Sequence, residues 1–232
     1  MIIKRIVFGE PKPGEAAFAA LLEKLDESIS YCNRSGPLQH DRVTDVPFTV
    51  PALGLNFKHP TPLAFVSAAP PSNDDWGLFA WHHIELYQQG VRAIYRVDPL
   101  HAECVRLCQA IYAKPGTAPE VWDEKLETAG VVWGVKFDGV RAYVVFRGSD
   151  SLMDWLRDLT GLDPEVLAAR ITQHEKFGPM WDGFVVGMAD TWTALKPLLA
   201  QSTEVVFTGH SLGAARAGVA AAFALNSAVS PA

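Results

Sequence analysis

The stretch Val205-Val206-Phe207-Thr208-Gly209-His210-Ser211-Leu212-Gly213-Ala214-Ala215 constrains this chain more than any other. Its apolar opening reads as a buried strand. The residues after it, with Ala214, Ala215, Gly218, Ala220 and Ala221, read as a helix that can lie close against a sheet. Between the two, Gly209 and Gly213 bracket Ser211 in the pattern G-x-S-x-G. A strand that turns this sharply into a helix strains the turn residue and presents its hydroxyl at the end of the sheet. The two glycines permit the tight turn and the close approach of neighbouring backbone. The competing reading is a serine N-cap on an ordinary core helix.

The rest of the chain extends the same architecture. Residues 2–8 are an apolar run closed by Gly9, Pro11 and Pro13, which predicts a buried parallel strand. Residues 14–25 place Ala17, Phe18, Leu21, Leu22 and Leu25 at helical spacing, and 28–32 read as a short strand. Residues 33–75, rich in Pro and Gly, read as one long loop region, and loops of that length usually carry function. Residues 81–94 and 100–112 read as helices on either side of a linker, Val97-Asp98-Pro99. Residues 131–137 and 142–146 read as a hairpin around Asp138-Gly139. Residues 184–199 read as an amphipathic helix, and 204–208 and 211–225 as the strand and helix around Ser211. Strands alternating with helices imply an α/β fold, a mainly parallel sheet with helices on both faces. A chain of 232 residues fits one domain, 1–232.

Composition removes several function classes. The net charge is −6, with both signs interspersed, which argues against a nucleic-acid partner. No apolar run approaches the ~20 residues of a membrane span. The opening M-I-I-K-R-I-V-F-G-E-P is interrupted by Lys4 and Arg5 and lacks a small-residue cleavage site, so it reads as a strand rather than a signal peptide. The expectation is a soluble protein, cytoplasmic by default, with secretion by another route left open. Cys32, Cys104 and Cys108 have no disulfide-framework spacing and read as reduced, buried thiols. Cys104 and Cys108 stand four apart on a helix but lack partners at zinc spacing, so no metal is expected.

A second motif, Val144-Val145-Phe146-Arg147-Gly148-Ser149, reads as a strand ending in a turn. Such a turn can supply one donor of an oxyanion hole, with the backbone N–H of Leu212 as the other. Trp155, in S-L-M-D-W-L-R-D-L, belongs to an amphipathic stretch that either flanks the site or packs on the core. The partners of a serine nucleophile would normally follow it as an acid and then a histidine. Here 21 residues follow Ser211, and none is Asp, Glu or His.

The set F-R-G-S with D-W-L-R-D-L, then W-D-G-F, then G-H-S-L-G-A-A resembles the fungal-type triacylglycerol lipases, the class 3 lipases, over roughly residues 98–225. The resemblance implies an α/β-hydrolase fold, with Ser211 as nucleophile and Ser149 in the oxyanion hole. Trp181 departs from the family, which often has His there. Upstream, Ile6-Val7-Phe8-Gly9-Glu10-Pro11 resembles the segment that follows the nucleophile helix in the family. His40-Asp41-Arg42-Val43-Thr44-Asp45-Val46-Pro47 resembles D-x-V-x-x-V-P, which carries the triad acid and maps it to Asp41, with Asp45 the second choice. His82-His83-Ile84-Glu85-Leu86-Tyr87 resembles H-x-I-x-x-Y, which carries the base and maps it to His82 rather than His83. Residues 1–97 thus resemble the family's C-terminal half and 98–232 its N-terminal half: a circularly permuted order. Triads are defined by geometry rather than chain order, so chemistry permits this. His59 resembles a structural His of relatives, and His210 reads as a packing residue.

These readings imply a serine carboxylic ester hydrolase acting through an acyl-enzyme on Ser211, with His82 and Asp41. The oxyanion hole would be Ser149 and Leu212, and no cofactor is required. The expected partner is a small-molecule or lipid ester. Two rivals stand: a catalytically impaired module binding a lipid or a protein, and a dimer in which two chains exchange halves.

Overall fold

The computed structural model describes residues 1–34, 41–45, 57–59, 63–69, 82–94, 99–114, 121–149, 169–175 and 177–229. Its centre is a sheet of seven strands: β1 (Ile2–Phe8), β2 (Glu27–Asn33), β3 (Leu63–Val66), β4 (Glu124–Thr128), β5 (Val131–Asp138), β6 (Arg141–Phe146) and β9 (Glu204–His210). A separate hairpin joins β7 (Ile171–His174) to β8 (Gly178–Trp181). The helices are α1 (Ala16–Leu22), α2 (Ile84–Ile94), α3 (Pro99–Ala110), α4 (Asp182–Val185), α5 (Met188–Leu198) and α6 (Leu212–Val229).

The spatial order is β3-β2-β1-β9-β6-β5-β4. The five strands from β3 to β6 run parallel, and β5 and β4 continue the sheet antiparallel. β1 pairs in parallel with β9 from Ile2↔Glu204 to Phe8↔His210. Apolar runs in the middle strands are what a sheet buried on both faces requires, because successive side chains alternate between faces. Ile3 and Val7, Val205 and Phe207, and Val144 and Phe146 pack with α1, α5 and α6. Ile6 and Phe8, Val206, and Tyr143 and Val145 pack on the other face with α2 and α3. This mainly parallel sheet between two helical layers fits an α/β-hydrolase-type fold. Among the described residues no helix is long and apolar enough to cross a membrane.

Several boundaries differ from the sequence reading. The long loop 33–75 contains β3 and a 3-10 turn, Arg42–Asp45. β3 has four residues, too few to show a period, and its partner β2 is distant in sequence. β4 also escaped notice, because Glu-Lys-Leu-Glu-Thr forms an edge strand that is half-buried or exposed throughout. The helix expected over 184–199 is broken at Gly187, whose φ is 77°. A Cβ there would lie 2.4 Å from the Ala129 carbonyl oxygen, so the break sits at a close approach that only glycine permits. The stretch with Trp155, the linker residues Val97 and Asp98, and the chain end at Ala232 lie outside the described residues.

Candidate active site

Three parallel strands, β1, β9 and β6, end side by side, and ligand crevices of open α/β sheets form outside such carboxyl ends. β9 leads through Ser211 into α6, and Ser211 takes φ 61°. Positive φ is uncommon for a residue with a Cβ and marks stored strain. The flanking glycines allow it. A Cβ on Gly209 would sit 2.2 Å from the Gly213 oxygen, and one on Gly213 would sit 2.1 Å from the Phe146 oxygen. The Ser211 N–H donates to the Phe8 carbonyl at 3.0 Å, tying the turn to the end of β1. This is a strand–turn–helix elbow rather than a simple N-cap.

Asp41 follows β2, and its N–H donates to the Asn33 carbonyl at 2.9 Å. His82 stands just before α2. The His82 Nδ1–H donates to Asp41 Oδ2 at 2.6 Å, the Val43 N–H donates to Asp41 Oδ1 at 2.9 Å, and the Tyr87 hydroxyl donates to Oδ2. Both Asp41 and His82 are buried. Burial alone would raise the Asp41 carboxyl, but the His82 ring beside it, with the hydrogen bonds from His82, Tyr87 and Val43, outweighs it. The pKa falls below the ordinary value, so Asp41 is ionised. A proton on Nδ1 leaves Nε2 with its lone pair, as a general base requires. Burial and the adjacent Asp41 charge push the Tyr87 hydroxyl well up, so it stays a donor.

The two halves of the site meet at Gly9. A Cβ on this residue (φ 58°) would lie 2.7 Å from His82 Cε1 and 2.8 Å from Asp41 Oδ2. Gly9 adjoins Phe8, whose carbonyl receives the Ser211 N–H. Ser211 Oγ and His82 Nε2 are both buried, and neither has a hydrogen-bond partner among the described residues. No hydrogen bond joins the two. Catalytic hydrogen bonds often tighten only once substrate binds.

Leu212 is the first residue of α6 and Ser149 follows Gly148 beyond β6. This exit from β6 touches the elbow: a Cβ on Gly148 would lie 3.2 Å from Ser211 Cβ and 2.7 Å from the His210 oxygen. Of the alternatives, Asp45 ends the 3-10 turn, and Asp41 rather than Asp45 holds the hydrogen bond to His82. His83 is half-buried, and it is His82 that meets the carboxylate. The His59 Nε2–H donates to the Thr44 carbonyl at 2.7 Å, a structural contact.

Sequence reasoning missed three parts of this region. Tyr87 closes H-x-I-x-x-Y, yet nothing local signals that its hydroxyl reaches Asp41. Tyr112 reaches the β6 exit from beyond α3, its hydroxyl accepting the Gly148 N–H at 3.1 Å. Arg5 and Glu10 form a fully buried pair at 2.5 Å, with Arg5 also donating to Ser28 and Ser30 at 3.0 Å each and Ser30 donating to Glu10. Two adjacent basic residues, Lys4 and Arg5, inside a strand that is apolar elsewhere were the available clue.

Compared with known proteins, the chain finds no match among curated ones. A solved structure of the triacylglyceride lipase of Rhizomucor miehei is similar at 23% identity and a TM-score of 0.33, over 47% of this chain and 42% of that one. The chain thus spans less than half of that lipase's length. The family model described as Lipase (class 3) matches residues 143–231, which begin in β6 and run through β9 and α6. Asp41 and His82 lie outside the matched residues. Over residues 143–231 this chain is similar to the class 3 lipases, and that match supports a lipase-type hydrolase.

Proposed function

We propose that the chain is a serine carboxylic ester hydrolase of one α/β-hydrolase domain, with Ser211 as nucleophile, His82 as general base and Asp41 as the acid that orients it. The observation that carries this reading is the buried Asp41–His82 pair, beside the end of the strand whose carbonyl holds the Ser211 turn. His82 Nε2 takes the Ser211 proton as Oγ attacks the ester carbonyl, and Asp41 stabilises the imidazolium that forms. The N–H groups of Leu212 and Ser149 receive the developing oxyanion. His82 then gives the proton to the leaving alcohol, and a water activated by the same imidazole hydrolyses the acyl-enzyme. The substrate is an uncharged carboxylic ester, and the family match over 143–231 favours an acylglycerol.

The same reading takes the chain as a circularly permuted class 3 lipase, acid and base preceding the nucleophile. The parallel register of β1 beside β9 supports it, since the family continues there after the nucleophile helix. A gene rearranged to run 98–232 and then 1–97 should fold and hydrolyse the same esters. An insoluble or inactive product argues against the permuted order.

A fluorophosphonate probe tests the chemistry. It should label Ser211, and Ser211→Ala should abolish labelling and lower ester hydrolysis by about 10³-fold or more with folding intact. Full hydrolysis by Ser211→Ala would overturn the nucleophile. Lipid binding without labelling would favour a non-catalytic module.

A further inference from the structure

His210, the residue before the nucleophile, makes polar contacts that a packing residue does not need. Its Nε2–H donates to the His82 carbonyl oxygen at 2.7 Å, across 128 residues of chain. Its ring stacks on the His82 ring, with centroids 4.4 Å apart and planes 28° apart. On its other side Nδ1 accepts the Tyr112 hydroxyl at 3.4 Å, and the same hydroxyl accepts the Gly148 N–H at 3.1 Å. One side chain therefore touches both the base and the route to the β6 exit.

We infer that His210 is a positioning residue that holds His82 and the β6 exit loop in register with Ser211. The inference rests on the proposed Ser211–His82–Asp41 reading and goes beyond it. His210 is bonded through its own backbone to Ser211, so its bond to the His82 carbonyl links base and nucleophile directly. Neither ring nitrogen is spare: Nε2 must carry a proton to donate, and Nδ1 must not, to accept. Burial, with the neighbouring His82 ring next in weight, depresses the His210 pKa to about 3. The ring therefore stays neutral and keeps this tautomer while His82 gains and loses its proton. The groups around it are His82, His83, Asp41, Tyr87 and Tyr112. A neutral ring stacked on His82 adds no like charge to the imidazolium.

Three variants separate positioning from packing. His210→Phe keeps an aromatic ring but neither hydrogen bond; His210→Gln restores a donor of similar reach; Tyr112→Phe removes the hydroxyl between His210 Nδ1 and Gly148 and leaves the bond to the His82 carbonyl. With a p-nitrophenyl ester, His210→Phe should lower kcat by roughly ten- to a hundredfold, since small misplacements of reacting groups cost that much. KM should hold, and His210→Gln should recover most of the loss. Tyr112→Phe should show a smaller kcat loss, with the acid limb of its pH profile unmoved. Unchanged kcat in a folded His210→Phe protein would overturn the inference. So would a His210→Gln protein that is folded, by its thermal midpoint, and as slow as His210→Phe. Labelling of Ser211 by the fluorophosphonate probe distinguishes the two levels. If wild type and His210→Phe label equally fast, His210 has no positioning role but the nucleophile stands. If Ser211 in the wild type does not label, the site reading fails, and the inference with it.

Discussion

Replacing Asp41 by Asn removes one charge and almost no volume, and the hydrogen bonds around Asp41 dictate the result. Oδ1 accepts the Val43 N–H, so the asparagine oxygen must take that position. The amide nitrogen then occupies the place of Oδ2, which now receives both His82 Nδ1–H and the Tyr87 hydroxyl. Two donors cannot face each other, so His82 must shift its proton to Nε2. An imidazole with Nε2 protonated cannot accept the Ser211 proton. The expected loss in kcat is about 10⁴-fold at neutral pH, as for a triad acid replaced by its amide. That is about 5 kcal/mol of barrier. Steady-state hydrolysis of a p-nitrophenyl ester would measure it, with circular dichroism and thermal unfolding to verify the fold. A folded Asp41→Asn protein within tenfold of wild type would refute the tautomer argument and, with it, Asp41 as the acid.

Because His82 rather than His83 meets Asp41, His82→Ala should match the Ser211→Ala defect without adding to it in the double variant, while His83→Ala should stay near wild type in kcat/KM. The reverse pattern would move the base to His83. Gly213→Ala would push a methyl to 2.1 Å from the Phe146 carbonyl, and should cost about 1–3 kcal/mol in urea unfolding; an unchanged midpoint would show that β6 and α6 can part freely. Glu10→Gln leaves the buried Arg5 without its counter-charge and should cost about 3–5 kcal/mol, and a near-neutral result in urea would mean that the pair is replaceable. For Glu10, burial raises the carboxyl but Arg5 and His59 outweigh it, so the pKa falls below the ordinary value, as at Asp41. A depressed folded-state pKa contributes stability above the unfolded value, near ~4, that is lost as pH falls through the folded one. The urea midpoint should therefore fall on acidification below that point, and less steeply in Glu10→Gln; a midpoint that rises would contradict the sign.

The strand–turn–helix around Ser211 was legible because all its determinants are local: an apolar run, two glycines at fixed offsets, and a small-residue helix. The middle strands were legible for a related reason, since a strand buried on both faces reads as a nearly continuous apolar run. β3 and β4 were not, because an edge strand needs neither length nor apolar character, and its existence depends on a partner elsewhere. Gly187 broke an expected helix for the same reason: the Ala129 carbonyl against it belongs to another part of the chain.

The candidate site divides along the same line. The sequence by itself determined which residues carry the chemistry-bearing motifs: Ser211 in its elbow, Asp41 and His82 in their segments, and Gly148-Ser149 at a strand end. Only the tertiary structure shows which groups each one meets: His82, Val43 and Tyr87 around Asp41, and the His82 carbonyl and Tyr112 around His210. Short-range pattern dictates backbone conformation, because turns and periodic faces are set by neighbours three or four positions away. Hydrogen bonds between side chains are set by how strands and helices stack, and β1 beside β9 brings Gly9, with Asp41 and His82 against it, to a serine some two hundred residues further along the chain.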